Sequence, residues 1–173
     1  MKKYVLTGGA SVGKTTIINM LAAKGYSIVP EAADDIIRAE NLKPHRGVLG
    51  VGDTYLFQQF VAERQLQIEE AAHGEIMFLD RGMGDGYAYC KFKGVAVPSL
   101  VMENSRNRYD KVFLLDSLDI YEYDGVRSGS LEEAKKIQPF IEEAYIFFGY
   151  TPIHVPAMKP EERVEFILKN LDL

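Results

Sequence analysis

The chain has 173 residues, of which 47% are hydrophobic and 26% are charged. This composition predicts one globular domain with a buried core and excludes a disordered tail. The formal net charge of −5 argues against a global basic field that would recruit nucleic acid, although a local cluster of donors could still bind phosphate.

The single cysteine, Cys90, excludes an internal disulfide framework and a multi-cysteine metal site. The three histidines share no ligand spacing, so we do not expect them to bind a metal ion. The apolar run that follows the first lysines, Tyr4–Thr7, is too short for a signal-peptide core or a membrane span. We therefore expect a cytoplasmic protein that binds neither membrane nor nucleic acid.

Short apolar runs alternate with longer helical patterns, which is typical of a parallel sheet covered by helices. Several of the runs are apolar throughout, as in strands that are buried on both faces. The five predicted strands are Tyr4–Thr7, Tyr26–Val29, Ile76–Leu79, Val112–Leu115 and Pro152–Val155. The sequence therefore predicts an α/β protein with a single domain over residues 1–173.

Helical patterns fill the intervals between these strands, and residues 43–52 are predicted to form a loop. Asp53 is the expected N-cap of the third helix, whose apolar stripe would contain Phe57, Phe60, Val61, Ile68, Ala71 and Ala72. The predicted helices are Gly13–Lys24, Glu31–Glu40, Thr54–His73, Leu131–Phe148 and Glu161–Leu171. Residues 116–130 are polar and contain glycine, which favours a lid.

A phosphate-binding loop (P-loop) is indicated directly after the first strand, where the sequence matches G-x4-G-K-[ST] and opens a helix. Glycines let several backbone N–H groups point inward at triphosphate oxygens, and the helix directs its positive end toward the same place. Lys14 would lie between the β- and γ-phosphates, and the Thr15 hydroxyl would bind Mg²⁺. The residues predicted to bind ATP or another nucleoside triphosphate are Gly8, Gly9, Ala10, Ser11, Val12, Gly13, Lys14, Thr15 and Thr16.

Two acidic residues follow predicted strands and should reach the same edge of the sheet. Asp80 ends the third strand, where it could hold Mg²⁺; a helix cap is the alternative. Glu31 follows the second strand, where it could accept the proton of an attacking hydroxyl or hold that hydroxyl in line. Its alternative role is that of a first-turn acid that stabilises the next helix.

Arginines near this edge could stabilise the charge that spreads over a migrating phosphoryl group. Arg81 follows Asp80, and Arg127 lies in the expected lid, where it could act as a transition-state arginine. Arg64 falls on the apolar stripe of the third helix and could reach the phosphate or carboxylate of a substrate. Surface ion pairs are the alternative for Arg81 and Arg127, and packing at the edge of the core is the alternative for Arg64.

Basic residues also precede the fourth strand, at the opposite end of the sheet. These residues are Arg106, Arg108 and Lys111, and we expect them to form a solvated face. The loop after the fifth strand, residues 156–159, is expected to contact the base of a bound nucleotide.

With these motifs in place, the chain resembles the NadR-like group of P-loop proteins, often described as AAA-type ATPases. That group is related to the ribosylnicotinamide kinase domain and, more distantly, to deoxynucleoside and thymidylate kinases. The resemblance is carried by Tyr4–Thr16, Val29–Ile37, Phe57–Gln67, Phe78–Gly86 and Tyr121–Arg127.

The resemblance implies a three-layer, nucleoside-kinase-like P-loop NTPase fold with a five-stranded parallel sheet in the order 2-3-1-4-5. It also implies the same roles for Lys14, Thr15, Asp80 and Arg81. The acidic motif after strand two is often Glu-x-x-Arg in this group, whereas here Glu31 is followed by two alanines and Asp34.

Three functions are compatible with these residues. The first is ATP- and Mg²⁺-dependent phosphorylation of a small hydroxylated acceptor such as a nucleoside or cofactor precursor. The second is hydrolysis of a triphosphate with water as the nucleophile, and the third is a nucleotide-controlled switch or binding module. The Asn/Thr-Lys-x-Asp motif that reads guanine is not found, and no Asp-x-x-Gly follows the third strand, which argues against a GTPase. The expected partners are a nucleotide and a small acceptor, and a homodimer is compatible with the sequence.

Overall fold

A five-stranded parallel sheet organises the molecule, and the computed structural model describes residues 1–41, 53–118 and 131–171. The strands are β1 (Lys2–Thr7), β2 (Ser27–Val29), β3 (Ile76–Asp80), β4 (Lys111–Leu115) and β5 (Ile153–Val155). Their order is β2-β3-β1-β4-β5, and each neighbouring pair is parallel. The five predicted strands and the strand order implied by the resemblance are therefore confirmed.

Helices connect these strands and cover both faces of the sheet. They are α1 (Lys14–Ala23), α2 (Ala32–Asn41), α3 (Thr54–Ala71), α4 (Met83–Lys93), α5 (Ser99–Asn104), α6 (Leu131–Phe147) and α7 (Pro160–Lys169). The predicted cap of α3 is confirmed, because the Asp53 carboxylate accepts a hydrogen bond from the backbone N–H of Leu56 at 3.0 Å. Within the described ranges, no helix has both the length and the apolar character needed to cross a bilayer.

The core has two parts because successive side chains of a strand point to opposite faces of the sheet. Tyr4 and Leu6 of β1 pack in one cluster with Leu21 of α1 and Ile167 of α7. Val5 packs in a second cluster on the other face, with residues of α4 and α6 that include Ala88, Ile141 and Tyr145. The sheet is thus the middle of three layers, as the resemblance implies.

Helices α4 and α5 have no counterpart among the predicted helices. The sequence of α4 contains Gly84 and Gly86, and an interior glycine weakens a helix by about 1 kcal/mol relative to alanine. Packing explains Gly84, because a Cβ atom there would lie 2.8 Å from the Tyr145 ring of α6. Cys90 of α4 is fully buried. The close approach of α4 to α6 thus requires the glycine that obscures the helix in the sequence.

The predicted apolar stripe of α3 is confirmed only in part, because Ile68 and Ala72 pack against the core but no residue of the stripe is fully buried. The buried positions of this helix are Gln58, Ala62, Gln65 and Glu69, three of which are polar. Helix α3 packs mainly against α2, α4 and α5, and its aromatic residues are partly buried or exposed. The polar line faces partners that satisfy its hydrogen-bonding groups, which hydrophobic periodicity cannot reveal.

Arg108 was expected to lie on a solvated face, but it contacts the buried Glu69 instead. The fully buried Glu69 carboxylate accepts hydrogen bonds from Lys3 Nζ at 3.0 Å, Arg108 Nε at 2.8 Å and the Tyr109 hydroxyl at 3.0 Å. A buried carboxylate needs this many donors to offset the loss of water. The Tyr109 hydroxyl also accepts a hydrogen bond from the Met83 N–H at 2.9 Å, which links this cluster to the start of α4.

Candidate active site

The carboxyl ends of β1, β3 and β2 bring the predicted site residues to one edge of the sheet. Leu6 of β1 is paired with Asp80, the last residue of β3, and Val29 of β2 is paired with the residue before it. The P-loop follows β1 directly, and Glu31 follows β2 by two residues. Ligands of open parallel sheets bind at this edge, so the register places the predicted residues where a ligand site is expected.

The P-loop passes close to the end of β4 and leads directly into α1. Gly8 has a φ of 141°, and a Cβ atom at this position would lie 2.8 Å from the carbonyl oxygen of Leu115, so only glycine fits. Helix α1 begins at Lys14, and Thr15 and Thr16 are exposed in its first turn. The free backbone N–H groups of a helix start are a suitable anion site.

Lys14 lies inside the loop and not at its surface. Its ammonium group donates to the carbonyl oxygens of Gly8 at 3.1 Å and Gly9 at 2.7 Å, and the residue is only 4% exposed. Burial, followed by the nearby charge of Arg81, lowers the Lys14 pKa to about 7. An anion in the loop would oppose both effects by stabilising the charged lysine.

Asp80 provides a carboxylate oxygen with no protein partner. In the described part of the chain, its Oδ1 atom is buried and has no hydrogen bond. Burial, followed by the charge of Glu31, raises the Asp80 pKa to about 6. A buried polar atom without a partner is costly and points to a missing ligand. This orphan oxygen fits the donor that a magnesium ion requires.

Arg81 joins the predicted acid of β2 to the P-loop. Its Nε donates to Glu31 Oε1 at 2.8 Å, and its Nη1 donates to the carbonyl oxygen of Gly8 at 3.0 Å and to Asp85 Oδ1 at 2.8 Å. The side chain is 12% exposed, so these contacts are shielded from water. Arg81 has a φ of 69°, a left-handed conformation that costs roughly 1–3 kcal/mol in a residue with a side chain. Its contacts hold it in this strained conformation.

Asp85 is a central residue of the site that the sequence did not indicate. Besides Arg81, its carboxylate accepts hydrogen bonds from the Thr7 hydroxyl at 2.7 Å, the Tyr145 hydroxyl at 2.6 Å and the Gly82 N–H at 3.2 Å. The residue is 4% exposed. Its spacing four residues after Arg81 would have suggested the pair, had α4 been recognised as a helix.

Two further residues reach the P-loop from helices that are distant in sequence. Gln138 of α6 accepts a hydrogen bond from the Gly9 N–H at 2.7 Å and donates one to the carbonyl oxygen of Leu115 at 2.9 Å. Arg163 of α7 donates from Nη1 to the carbonyl oxygen of Val12 at 2.5 Å. No motif or local spacing in the sequence pointed to either residue.

Arg64 is not part of this cluster. Arg64 forms a half-exposed ion pair with Asp35 of α2, with 2.9 Å between Nη2 and Oδ2. Within the described ranges, no hydrogen bond or ion pair joins Arg64 to Glu31, Asp80 or Arg81, and its binding of substrate stays a prediction. Arg127 and residues 119–130 of the expected lid lie outside the described residues.

The donor set is suited to Mg²⁺ more than to a metal with an all-protein cage. In the described ranges, no group of three or more His, Cys, Asp or Glu side chains could hold a metal ion. Magnesium commonly takes one or two protein oxygens and completes its shell with water and substrate phosphates. Asp80 and Thr15 are the residues that could supply those oxygens.

Comparison with known proteins identifies the family. Residues 3–163 match the family model described as AAA domain. The chain belongs to this family. The resemblance to AAA-type P-loop proteins that the motifs suggested is therefore confirmed. A curated relative of this AAA domain is GTPase Era from Halothermothrix orenii, which is 23% identical over 184 residues. That match covers 95% of this chain and 62% of Era, so the AAA domain spans less than two thirds of its relative.

Solved structures share the fold of this AAA domain at low identity. The NadR protein in complex with NR has a TM-score of 0.73 at 16% identity, over 99% of this chain and 52% of that one. Deoxyadenosine kinase from M. mycoides, with the products dCMP and dCDP, has a TM-score of 0.65 at 18% identity, over 98% of both chains. Shikimate kinase from Aquifex aeolicus has a TM-score of 0.58 at 17% identity, over 98% of this chain and 96% of that one. At such low identities, the TM-scores show a shared fold and no more.

Proposed function

We propose that the chain is an ATP- and Mg²⁺-dependent phosphotransferase that phosphorylates a hydroxyl group of a small metabolite, such as a nucleoside or cofactor precursor. The observation that carries the proposal is the Glu31–Arg81 ion pair, whose atoms lie 2.8 Å apart at the edge where the P-loop begins. A shielded carboxylate next to a phosphate site can orient a hydroxyl, and a shielded guanidinium can stabilise transferring phosphate.

The P-loop, residues 8–16, would bind the triphosphate through its backbone N–H groups and the start of α1. Lys14 would exchange its bonds to the Gly8 and Gly9 carbonyls for bonds to β- and γ-phosphate oxygens. Thr15 and Asp80 would hold Mg²⁺, which when bound neutralises charge on the phosphate oxygens.

Glu31 would act on the acceptor. The acceptor oxygen forms a bond to the γ-phosphorus while the bond from that phosphorus to the bridging oxygen breaks, and ADP leaves. The acceptor proton passes to the Glu31 carboxylate. Arg81 keeps Glu31 oriented and, together with Arg127, would stabilise charge on the migrating group. Arg64, paired with Asp35 across α2 and α3, would bind the distal part of the acceptor.

The structural neighbours support a small acceptor. Their names include deoxyadenosine kinase, thymidylate kinase and shikimate kinase, and NadR was solved in complex with NR. Deoxyadenosine kinase is informative because its match covers 98% of both chains.

Hydrolysis without an acceptor is the second candidate, and the relationship to GTPase Era favours it. The same P-loop, Lys14 and Asp80 would serve water as the nucleophile. The sequence lacks the guanine-reading motif and the Asp-x-x-Gly element of GTPases, so GTP specificity is not part of this alternative. A nucleotide-controlled binding module is the third candidate and would need no catalytic Glu31.

Product analysis distinguishes these functions. Purified protein is incubated with ATP, Mg²⁺ and a pool of hydroxylated metabolites, and products are resolved by mass spectrometry. We expect ADP to form together with a phosphorylated acceptor in equal amounts. Formation of ADP and free phosphate at the same rate with or without the pool would support the hydrolase instead. Nucleotide binding without turnover would support the binding module.

Lys14→Ala and Asp80→Asn test the site itself. We expect Lys14→Ala to abolish tight ATP–Mg²⁺ binding, measured by titration calorimetry, because the loop loses its central charge. Asp80→Asn should reduce turnover more than ATP affinity across a magnesium titration, because its orphan oxygen serves the metal. Normal ATP binding by Lys14→Ala would show that the P-loop is assigned wrongly.

A further inference from the structure

Arg163 is buried in a way that neither its sequence context nor the core explains. It lies in α7 and is 1% exposed, among the largest fully buried side chains of the described residues. Its neighbours along the helix, Val164 and Ile167, pack in the apolar cluster on that face of the sheet. A guanidinium in such a place is costly unless its donors are satisfied.

The Arg163 guanidinium is satisfied by three backbone carbonyl groups. Nε donates to Pro156 at 2.9 Å, Nη1 donates to Val12 at 2.5 Å, and Nη2 donates to Asp116 at 2.8 Å. Burial lowers the Arg163 pKa, and the charge of Asp116 opposes that effect. The three acceptor residues lie outside the strands and helices, so the arginine joins three separate loop segments.

These three segments surround the proposed nucleotide site. Val12 belongs to the P-loop, Asp116 follows β4, and Pro156 follows β5 in the loop that is expected to contact the base. Because β4 and β5 are neighbours beside β1, all three segments emerge at the same edge of the sheet. A Cβ atom on Gly13 would lie 3.6 Å from Arg163 Nη1, so the guanidinium lies directly behind the P-loop.

We propose that Arg163 is a positioning residue of the nucleotide site, which fixes the P-loop, the start of the segment after β4 and the base loop relative to one another. The inference rests on the proposed nucleotide binding and adds a determinant of its affinity. Arg163 contacts the three loops from behind, so it acts through them and has no direct contact with phosphate or base.

Arginine suits this role because its planar guanidinium presents several donors in fixed directions. A lysine at the same position would keep the positive charge, but its three donors lie on one nitrogen and cannot replace bonds that Arg163 makes from Nε, Nη1 and Nη2. A methionine would fill a similar volume and satisfy none of them. The two substitutions therefore separate the effect of charge from the effect of geometry.

The experiment compares Arg163→Lys and Arg163→Met with Val164→Ala, a truncation of the next residue that weakens the core of the same helix. Melting temperature and the dissociation constants for ATP–Mg²⁺ and tripolyphosphate–Mg²⁺ are measured for each, at a temperature where all are folded. ATP would contact both the P-loop and the expected base loop, whereas tripolyphosphate has no base and would contact only the P-loop and its surroundings.

We expect both Arg163 variants to raise the ATP dissociation constant about tenfold or more, because a lost set of charged hydrogen bonds is of that size. The dissociation constant for tripolyphosphate should rise by a smaller factor, because this ligand has no base and the base loop does not contribute to its binding. Val164→Ala should lower the melting temperature yet keep ATP affinity within about twofold of the unaltered chain.

Three results would overturn the inference. Unchanged ATP affinity in Arg163→Met would contradict the positioning role. Unchanged ATP affinity in Arg163→Lys would show that only the positive charge matters and not the geometry of the guanidinium. An equal loss in Val164→Ala would show that only general stability matters. If Lys14→Ala loses ATP binding and the Arg163 variants do not, the inference about Arg163 is contradicted and the proposed function is not. If Lys14→Ala binds ATP normally, the proposed function itself is contradicted.

If the Arg163 variants do not fold, hydrogen exchange of the unaltered chain decides. ATP–Mg²⁺ should slow exchange together in the P-loop, in residues 116–118 and in the loop after β5. Protection confined to the P-loop would contradict a shared anchor.

Discussion

The Asp85 carboxylate is the side chain that connects the elements of the site. Residues of β1, of the segment after β3 and of α6 all contact it. Thr7 of β1 and Tyr145 of α6 donate hydroxyl hydrogen bonds to it, and Arg81 forms an ion pair with it. A buried carboxylate with this many donors stabilises each of them as well as itself. Arg81 therefore depends on Asp85 for its orientation toward Glu31.

Asp85→Asn is expected to destabilise the protein by about 2–4 kcal/mol, because Arg81 loses a buried ionic partner and the amide cannot accept every donor. Urea unfolding measures the change. Asp35→Asn is the matched control, since the Asp35–Arg64 pair is about two-fifths exposed and should contribute about 0–1 kcal/mol. Equal losses in the two variants would contradict the role given to Asp85.

His154 links β5 to the residue that follows β4 and to α6 through a titratable ring. Its Nδ1 lies 2.9 Å from an Asp116 oxygen and its Nε2 lies 2.9 Å from a Glu142 oxygen. The hydrogen bonds to Asp116 and then Glu142 raise its pKa above the ordinary value. Both carboxylates can be satisfied only if both ring nitrogens carry protons.

We expect a small, pH-dependent contribution of His154 to stability. A pKa raised on folding stabilises the protein below the unfolded-state pKa of about 6.5, and that stabilisation is lost as pH rises through the folded-state pKa. The stability difference between the unaltered chain and His154→Gln should therefore shrink from pH 6 to pH 9. NMR titration of the ring checks the cause, and a pKa at or below the ordinary value would contradict it.

Some residues of the site could be predicted from the sequence because a local pattern marks them, and others could not. The P-loop could be predicted because one contiguous pattern carries it, and Asp80, Arg81 and Glu31 could be placed because they follow strands. Gln138 and Arg163 could not, because they act on backbone carbonyl and N–H groups that any residue possesses. No sequence pattern marks a carbonyl as an acceptor in need of a donor.

The packing of α4 against α6 is the element-scale feature that supports the site. Gly84 lets the Tyr145 ring lie against the α4 backbone, where the Tyr145 hydroxyl reaches Asp85 at 2.6 Å. The glycine lowers the helix propensity of α4 but allows α6 to approach its backbone closely. For the same reason α4 could not be predicted from its sequence. Helix α3 could be located, but its buried face could not be predicted because that face is mostly polar.

Gly84→Ala should destabilise the protein by about 1–3 kcal/mol through overpacking, although alanine is the better helix former. The Cβ atom would lie 2.8 Å from Tyr145, a fully buried ring that cannot move aside. Thermal unfolding measures the loss. In a Tyr145→Leu background the same substitution should cost less, because the ring that it meets is gone; an equal cost in both backgrounds would exclude the contact as the cause.

At the scale of the whole molecule, the sheet order gathers loops from all five strands around one edge. The parallel sheet covered by helices could be predicted because short apolar runs alternate with helical patterns. The strand order and the three layers were implied by the resemblance to P-loop proteins, and the structure has both. The single domain over residues 1–173, the lid, the homodimer and the cytoplasmic location stay predictions. They depend on residues outside the described ranges or on partners and compartments that the chain alone does not contain.

Ligand binding should stabilise the whole fold. ATP–Mg²⁺ at one hundred times its dissociation constant should add about 2.7 kcal/mol, which for a domain of this size corresponds to roughly 5–10 °C in melting temperature. A thermal-shift series with ATP, GTP and candidate acceptors measures this and ranks the ligands. Lys14→Ala should show no shift with any nucleotide, and a shift of normal size in that variant would place the nucleotide elsewhere.

The burial of Cys90 has a practical consequence for measuring motion in this protein. Burial raises the pKa of its thiol to about 11, so the reactive thiolate is scarce at neutral pH and the native cysteine should resist labelling reagents. A reporter cysteine introduced at a surface position would then carry a fluorophore alone, without removal of the natural residue. Paired labels on residues 119–130 and on α1 would test the lid prediction by energy transfer.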